Sequence, residues 1–268
     1  MNLTLTAIGT YVRRSMAIMF HYRGEIVLWA VWGVVYPAVA IAMWSAAVAG
    51  RPDGSDIGGF GPREFAAYFF MTMIVGHFCT AWDVYEMGYL IRSGAMSPKL
   101  LRPILPVWES VSDNLAFKTI TLAVLLPTWV VVAILTKPHF TTTTTQLLLG
   151  ILAQILAATI NFIWGYTAAV LSFWTTRDHV GELWMGLSLF VGGRLGPLTI
   201  LPWPLQWAAA VLPFKWAIWF PSMVLMGGMP TEEIVQGLFW QCCWIVGGLF
   251  VFRLLWKRAL KHYSAVGA

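Results

Sequence analysis

Six long apolar stretches, separated by short polar segments, dominate the hydrophobic pattern of this chain. Each is close to the roughly 20 residues that a helix rising about 1.5 Å per residue needs to cross the hydrocarbon core of a bilayer. The stretches are apolar on all sides, whereas a membrane β-barrel has segments of about ten residues that alternate in polarity. The pattern therefore predicts an all-α polytopic membrane protein with six transmembrane helices in a single transmembrane domain, residues 1–268. The predicted spans are residues 26–49, 65–82, 114–135, 146–173, 181–201 and 236–256.

Composition supports this class. Hydrophobic residues make up 59% of the chain and charged residues only 11%, against about 25% charged residues in an average soluble domain. The formal net charge of +5 fits contact with the anionic inner leaflet of a bilayer. Because basic residues are not interleaved with aromatic residues on a polar surface, nucleic acid is not an expected partner.

Orientation follows from the distribution of Lys and Arg around the spans, since cytoplasmic loops carry an excess of them. Twelve of the 17 basic residues fall on one side, so both termini are expected in the cytoplasm. On that side lie Arg13, Arg14, Arg23, Arg92, Lys99, Arg102, Lys118, Arg177, Arg253, Lys257, Arg258 and Lys261, and on the other lie Arg51, Arg63, Lys137, Arg194 and Lys215.

The first 24 residues have an amphipathic pattern. Apolar residues recur at helical spacing, and polar residues occupy the opposite face, which predicts an interfacial helix over residues 1–24. A disordered basic tail is the alternative. The apolar face consists of Leu5, Ile8, Val12, Met16 and Met19, and the polar face of Thr6, Thr10, Arg13 and His21.

Residues 191–235, between the fifth and sixth spans, contain six of the 14 prolines. A straight helix cannot hold these prolines without breaks, so short re-entrant or outer helices are expected, with breaks that let an outer gate rearrange. A Gly192-to-Gly196 spacing would allow close helix approach. The alternative, a seventh span over residues 205–228, would place Lys215 near mid-bilayer at a cost of about 2.5–3.5 kcal/mol. The gate candidates are Gly192, Gly196, Pro197, Pro202 and Pro213.

Residues 83–113 form an inner loop that combines charges with an apolar stripe. Such a segment can fold into a short helix that offers apolar anchors and charges to a soluble partner, although a solvated, salt-bridged loop is the alternative. The stripe is Tyr85, Tyr89, Met96, Leu100 and Leu101. In the other inner loop, Arg177, Asp178, His179 and Glu182 fit either a helix start, with a carboxylate at its positive end, or a gate.

Several kinds of chemistry have no support in the sequence. No lysine follows a glycine, so the chain lacks the phosphate-binding loop of an ATPase. The five histidines are scattered and give no metal-binding spacing. No carboxylate lies in the middle of a predicted span, which argues against an ion-coupled pump, an intramembrane aspartyl protease and a metal-dependent prenyl transferase. His77 fits an interhelical hydrogen bond or a proton relay, while Gln154, Asn161 and Gln241 fit interhelical hydrogen bonds worth about 0.6–2 kcal/mol.

Four stretches give the chain a family resemblance. They are Ile91–Gly94 with residues 100–106; the glycine and proline segment from Gly192 to Pro213; Leu225–Gly227; and the tail, residues 255–268. In these the chain resembles the six-span permease subunits of type-2 ATP-binding-cassette (ABC) exporters, within a bacterial family usually paired with a second permease and a separate ATPase. The resemblance implies a location in the bacterial cytoplasmic (inner) membrane.

The resemblance also implies roles for individual segments. The N-terminal helix would be an elbow, and the segment before the last span would form re-entrant outer helices. Two copies of an ABC ATPase would bind ATP and Mg, leaving this chain without a cofactor of its own, and a second permease, identical or homologous, would complete a dimeric pore. The residues implied to contact the ATPase are Tyr85, Glu86, Tyr89, Arg92, Gly94, Leu100, Leu101, Arg102 and Pro103.

The function expected is therefore export of an apolar or amphipathic substrate by a permease that is not itself an enzyme. The charge-poor interior and the 16 tryptophans motivate this choice of substrate. Two other classes stay open: a membrane-embedded enzyme that modifies lipids, and a membrane scaffold or passive channel that transports nothing actively.

Overall fold

The computed structural model of the protein describes residues 3–51, 56–175 and 179–263. These residues form twelve α-helices, with a 3-10 turn at Leu198–Ile200 and a π-helical segment at Lys215–Trp219. The helices are α1 (Leu3–His21), α2 (Arg23–Ala49), α3 (Pro62–Cys79), α4 (Asp83–Arg92), α5 (Met96–Leu100), α6 (Val107–Thr136), α7 (Thr144–Ala169), α8 (Ser172–Thr175), α9 (His179–Val191), α10 (Trp203–Ala210), α11 (Phe220–Met226) and α12 (Thr231–His262).

Five stretches of the described chain are helical, long and apolar enough to cross a membrane, which confirms an all-α polytopic membrane protein. They contain five of the six predicted spans. A sixth crossing results if the bent pair α10 and Lys215–Met226 is counted as one broken span. The five stretches are Gly24–Ala49, Pro62–Arg92, Val107–Thr136, Thr144–Thr175 and Thr231–His262.

The predicted fifth span, residues 181–201, is wrong as a continuous helix. α9 ends at Val191 after 13 residues, about 20 Å of helix, which is short of the roughly 30 Å hydrocarbon thickness. The chain then turns at Gly193, whose φ of +85° is a conformation that glycine adopts without steric cost.

The expected short helices between α9 and α12 are confirmed. α10 and the Lys215–Met226 helix are inclined by 85° to each other. Residues 205–228 are therefore not a straight spanning helix, and this pair is either one broken span or a re-entrant pair of helices. Prolines mark the helix starts, because their fixed φ suits the first turn and their missing N–H is not needed there. Pro202 precedes α10, and Pro221 lies in the first turn of α11.

α1 is a helix that packs along α6, so the alternative of a disordered tail is wrong. The side chains of Ile8 and Val12 are half-buried, whereas Thr6, Thr10 and Arg13 are exposed. The Ser112 hydroxyl of α6 donates a hydrogen bond to the Ile8 carbonyl at 3.4 Å. The predicted amphipathic pattern therefore corresponds to a helix with its apolar face against the bundle.

α3 is the most buried of the membrane-crossing helices. In its candidate span 61% of the apolar window is buried, compared with 18%, 17% and 11% for the windows in α2, α6 and α12. Phe65, Tyr68 and Phe69 are fully covered by neighbouring residues. α2, α6 and α12 present apolar side chains outward, as lipid-facing or subunit-facing helices do.

A pair of adjacent glycines on α12 tests this packing. A methyl group at Gly248 would lie 2.7 Å from Ile163 Cγ2 and 2.8 Å from Trp164 Nε1 of α7, whereas none of the described atoms would lie within 4 Å of a methyl group at Gly247. Gly248→Ala should therefore destabilise the fold by about 1–3 kcal/mol through overpacking. Gly247→Ala should be neutral or stabilising by up to about 1 kcal/mol, because alanine favours helices.

The measurement is the thermal unfolding midpoint of each purified variant in neutral detergent, followed by tryptophan fluorescence. Equal midpoints for the two variants would contradict the described contact between α7 and α12.

Candidate coupling surface and gate segment

The predicted coupling segment begins as an extension of the second membrane-crossing helix. α3 and α4 run on as one candidate span, Pro62–Arg92. The inner face of α4, formed by Val84, Met87 and Ile91, is buried against Tyr166 of α7 and Trp256 of α12. The expectation of a separate loop over residues 83–113 therefore does not hold for the first ten residues, because these pack into the bundle.

Gly94 and α5 then turn the chain back. Gly94 has a φ of +72°, which a glycine accommodates without strain, and it separates α4 from α5. Tyr85 and Leu100 pack against the buried cluster and are only partly exposed. The other predicted coupling residues are exposed: Glu86, Tyr89, Arg92, Leu101, Arg102 and Pro103.

Three apolar side chains protrude from this turn, and we call them the tip: Tyr89, Leu101 and Leu105. Their exposed fractions are 63%, 87% and 48%. Exposed apolar groups rimmed by charges are typical of a protein interaction site. Sequence reasoning identified Tyr89 and Leu101 but treated Leu100 and Leu101 alike, although only Leu101 is at the surface.

Glu109, at the start of α6, collects three cations from two other segments. Its Oε1 lies 2.6 Å from Arg14 Nη2 of α1, and its Oε2 lies 2.9 Å from Lys99 Nζ and 3.1 Å from Arg102 Nη1. The Glu109 side chain is only 5% exposed. We call these four residues the Glu109 cluster. The segment is therefore salt-bridged, as in the alternative of a solvated, salt-bridged loop, but its shared carboxylate is buried rather than solvated.

Two further bonds join the helices around the turn. The Ser15 hydroxyl of α1 donates to the Asp113 carboxylate, so α1 and α6 are held together. The hydroxyl groups of Ser97 and Tyr263 lie 2.6 Å apart, joining α5 to the residue that follows α12. A displacement of the tip must therefore change contacts with α1, α6 and the end of α12.

The second inner loop is only partly described. The His179 Nδ1 and Glu182 Oε2 atoms lie 3.4 Å apart, and both side chains are exposed. Arg177 and Asp178 lie outside the described residues, so the two interpretations of this loop stay open.

At the other end of α9, residues 192–197 form a turn that α2 and α3 hold by its backbone carbonyls; we call it the gate turn. Each bond joins an aromatic side chain to a carbonyl that would otherwise lack a partner in an apolar environment. Tyr36 Oη donates to the Arg194 carbonyl at 3.1 Å, Trp44 Nε1 to the Leu195 carbonyl at 3.0 Å, and Tyr68 Oη to the Gly193 carbonyl.

The predicted gate residues lie in turns rather than in a helix–helix contact. A side chain at Gly192 would collide with the Ser188 carbonyl. A methyl group at Gly196 would lie 3.0 Å from Cζ2 of the Trp44 indole. The spacing of the two glycines therefore permits a tight turn, not a close helix pair as expected. Pro197 precedes the 3-10 turn, Pro202 precedes α10, and the Pro213 carbonyl accepts the first bonds of the π-helical segment.

Arg194 is a residue whose position sequence reasoning missed. Its backbone lies in the gate turn, but its side chain folds back, and its Nε donates to Ser188 Oγ at 3.2 Å. A methyl group at Gly76 would lie 3.2 Å from Arg194 Nη1, and Gly76 is halfway along the candidate span Pro62–Arg92. The charge of Arg194 therefore lies against α3, and the assignment of this residue to the outer side stays a prediction.

The polar residues inside the bundle contact neighbouring helices. Gln241 Nε2 donates to the Ala153 carbonyl at 3.0 Å and the Trp216 carbonyl at 2.9 Å, and Asn161 Nδ2 donates to the Cys79 carbonyl. Gln154 Nε2 lies 3.7 Å from Cys79 Sγ. His77 packs against the rings of Phe117 and Trp129, and its Nε2 has no hydrogen-bond partner among the described residues.

An open groove of about 880 Å³ lies between α12 and the segment Lys215–Phe220. Lys215 Nζ lies 4.9 Å from the ring centroid of Trp216 and 5.1 Å from that of Trp219, a cation–π arrangement. Five tryptophans line the groove: Trp164, Trp216, Trp219, Trp240 and Trp244. Its mostly apolar walls, with the ammonium of Lys215 and the carboxylate of Glu233 as charged groups, suit an amphipathic molecule.

Comparison with known families gives one finding. The sequence model of a family described as "ABC-2 family transporter protein" matches residues 34–267, more than four fifths of the chain. The tip, Glu109, the gate turn and the groove all fall within the matched residues. A search of curated proteins gives no match.

Glu109→Gln tests whether the Glu109 cluster orders the turn. The amide keeps one acceptor oxygen but removes the negative charge that Arg14, Lys99 and Arg102 share, so the protein should lose about 1–3 kcal/mol of stability. Trypsin should cleave after Lys99 several-fold faster, as measured by mass spectrometry of timed digests. Glu232→Gln is the control, because Glu232 is an exposed carboxylate at the far end of α12. Unchanged cleavage after Lys99 in Glu109→Gln would contradict this role.

Proposed function

Because the chain belongs to the ABC-2 family of transporter proteins and is its membrane-spanning permease, we propose that ATP hydrolysis on a separate subunit drives it through the tip. Members of this family are components of transporters and not enzymes, so the role proposed for this chain is coupling and not catalysis. The observation that carries it is the exposed tip joined to α1, α6 and α12 through the Glu109 cluster and Ser97.

The energy source must be external, because the chain lacks a glycine–lysine phosphate-binding loop. ATP and Mg therefore bind to an ABC ATPase, present in two copies, and this chain needs no cofactor. Free energy from hydrolysis reaches the membrane path only through an element whose contacts differ between two states.

The tip has the features of such an element. Tyr89, Leu101 and Leu105 offer apolar anchors, and Arg92 and Arg102 beside them supply charge. Only residues 80–82 separate α4 from the most buried helix, α3, within one candidate span. A displacement of the tip therefore acts on the centre of the bundle. The Glu109 cluster distributes the same displacement to α1 and α6.

A second permease, identical or homologous, completes the path. Support comes from α2, where only 18% of the apolar window is buried and where large side chains such as Trp29, Trp32 and Val39 are exposed. A helix so little covered by its own chain needs lipid or another subunit around it. The remaining outward faces of α6 and α12 contact the bilayer.

The proposed location is the bacterial cytoplasmic membrane with both termini inside. Basic residues concentrate around the tip and at the end of α12, where Arg253, Lys257, Arg258 and Lys261 lie, as the positive-inside rule requires. This orientation places the tip in the cytoplasm, where an ATPase can reach it.

The proposed activity is export of an apolar or amphipathic substrate. The tryptophan-lined groove beside α12, with Lys215 at its wall, supports a substrate that combines an apolar body with a polar group. Few charged groups inside the bundle would oppose passage of such a molecule.

Leu101→Glu tests the proposed docking. A carboxylate in place of a side chain that is 87% exposed should leave the fold intact but remove an apolar anchor, so the amount of ATPase that co-purifies should fall at least tenfold, about 1.4 kcal/mol. Transport should be lost in parallel. Leu260→Glu is the matched control: Leu260 is 43% exposed near the same end of α12 and lies outside the tip.

Leu100→Glu would be uninformative, because Leu100 packs against the buried cluster and the variant should misfold. The thermal unfolding midpoint of each variant shows whether a loss of ATPase binding is due to unfolding or to loss of docking. If wild-type protein co-purified with no ATPase, or if Leu101→Glu and Leu260→Glu bound it equally, the proposed coupling would be refuted.

A further inference from the structure

The side chain of Arg194 places a positive charge against a membrane-crossing helix. Its Nη1 lies beside Gly76 of α3, inside the candidate span Pro62–Arg92. None of the ion pairs among the described residues involves Arg194. A charged side chain at such depth is costly and is normally retained for function.

Hydrogen bonds hold both the backbone and the side chain of Arg194. On the backbone, the Arg194 carbonyl accepts a hydrogen bond from Tyr36, and the carbonyl of the next residue accepts one from Trp44. Nε is occupied by Ser188 Oγ, and Ser188 is buried. The guanidinium therefore lies between α9 and α3 with its Nη end toward Gly76, where any larger residue would crowd it.

The ionisable groups around Arg194 do not neutralise it. Those close enough for an electrostatic effect are the hydroxyl groups of Tyr36, Tyr68 and Tyr85 and the thiol of Cys79. Tyrosine hydroxyls and cysteine thiols are protonated and uncharged at pH 7. A cation in low-dielectric surroundings gains most from a bound anion, and the described residues do not supply one.

An aromatic stripe on α2 reaches the gate turn that carries Arg194. Trp29, Trp32 and Tyr36 follow helical spacing and are 50%, 69% and 41% exposed, and the Tyr36 hydroxyl donates to the backbone carbonyl of Arg194. Between this chain and whatever covers α2, a single molecule can thus meet the cation of Arg194 and an apolar surface that the chain itself leaves uncovered. This combination selects an amphiphile with an acidic head group.

We propose that Arg194 binds the acidic group of the transported molecule, and that the substrate class is anionic amphiphiles carrying a carboxylate or phosphate. Guanidinium groups bind both oxyanions through paired hydrogen bonds. The transport role of this site rests on the proposed function, whereas the binding itself does not require an ATPase.

Binding is tested on the purified full chain in neutral detergent at pH 8 with 11-(dansylamino)undecanoic acid and, as the uncharged probe, its methyl ester. Arg194→Gln should weaken binding of the acid about ten- to a hundredfold, the range for a hydrogen bond to a charged group, and leave the ester unchanged. Arg194→Lys should retain part of the affinity for the acid. Arg63→Gln, which removes an exposed arginine, should behave like wild type.

Competition with dodecanoate and dodecyl phosphate separates the two head groups: stronger displacement by one identifies the preferred oxyanion, and both outcomes support the site. The proposal is overturned if wild type binds acid and ester equally, or if Arg194→Gln weakens both alike. Should Arg194→Gln unfold, the same two criteria apply to Arg194→Lys, which must still prefer the acid over the ester. Charge-selective binding without any co-purifying ATPase would refute the proposed coupling and leave this site standing.

Discussion

The arrangement of the inner end of this protein depends on one carboxylate. Glu109 is almost completely covered and accepts from Arg14, Lys99 and Arg102. Arg14 belongs to α1, whereas Lys99 and Arg102 belong to the segment that follows α4. When three cations share one buried carboxylate, the loss of one cation changes the interaction energy of the carboxylate with the other two. The elbow helix, the turn and α6 are therefore set relative to one another by the same group, and this fixes the direction in which Tyr89 and Leu101 protrude.

The proposed coupling surface and the gate turn lie at opposite ends of one candidate span, formed by α3 and α4. Tyr89 of the tip is in α4, and the gate turn is held by Tyr68 in the first half of α3. Because Phe65, Tyr68 and Phe69 are fully buried, α3 cannot shift without moving its neighbours. A helix of this kind is a physical connection between the two regions, as coupling between distant sites requires a rigid element that both contact.

Sequence reasoning succeeded where the signal was local and failed where it depended on distant residues. Five spans followed from apolar length alone, and the prolines correctly predicted short helices before α12. The span at residues 181–201 was wrong because hydropathy does not register the turn that Gly192 and Gly193 impose. Leu100 and Leu101 are equally apolar, and only the packing of α5 distinguishes them. Glu109 could not be identified as a shared acceptor, because Arg14 lies far from it in sequence. The contact of the Arg194 side chain with α3 could not be predicted, because that side chain runs back along α9.

The depth of the Arg194 guanidinium has an electrical consequence. A charge inside a membrane experiences a fraction of the transmembrane voltage, and a full crossing is worth about 2.3 kcal/mol per charge per 100 mV. In the proposed orientation the cell interior is negative, so an anion that moves outward across the bilayer gains about 2.3 kcal/mol per 100 mV in all, one part on the way to this arginine and the rest on leaving it. The voltage across the bilayer would thus act on the cargo in the same direction as the ATPase.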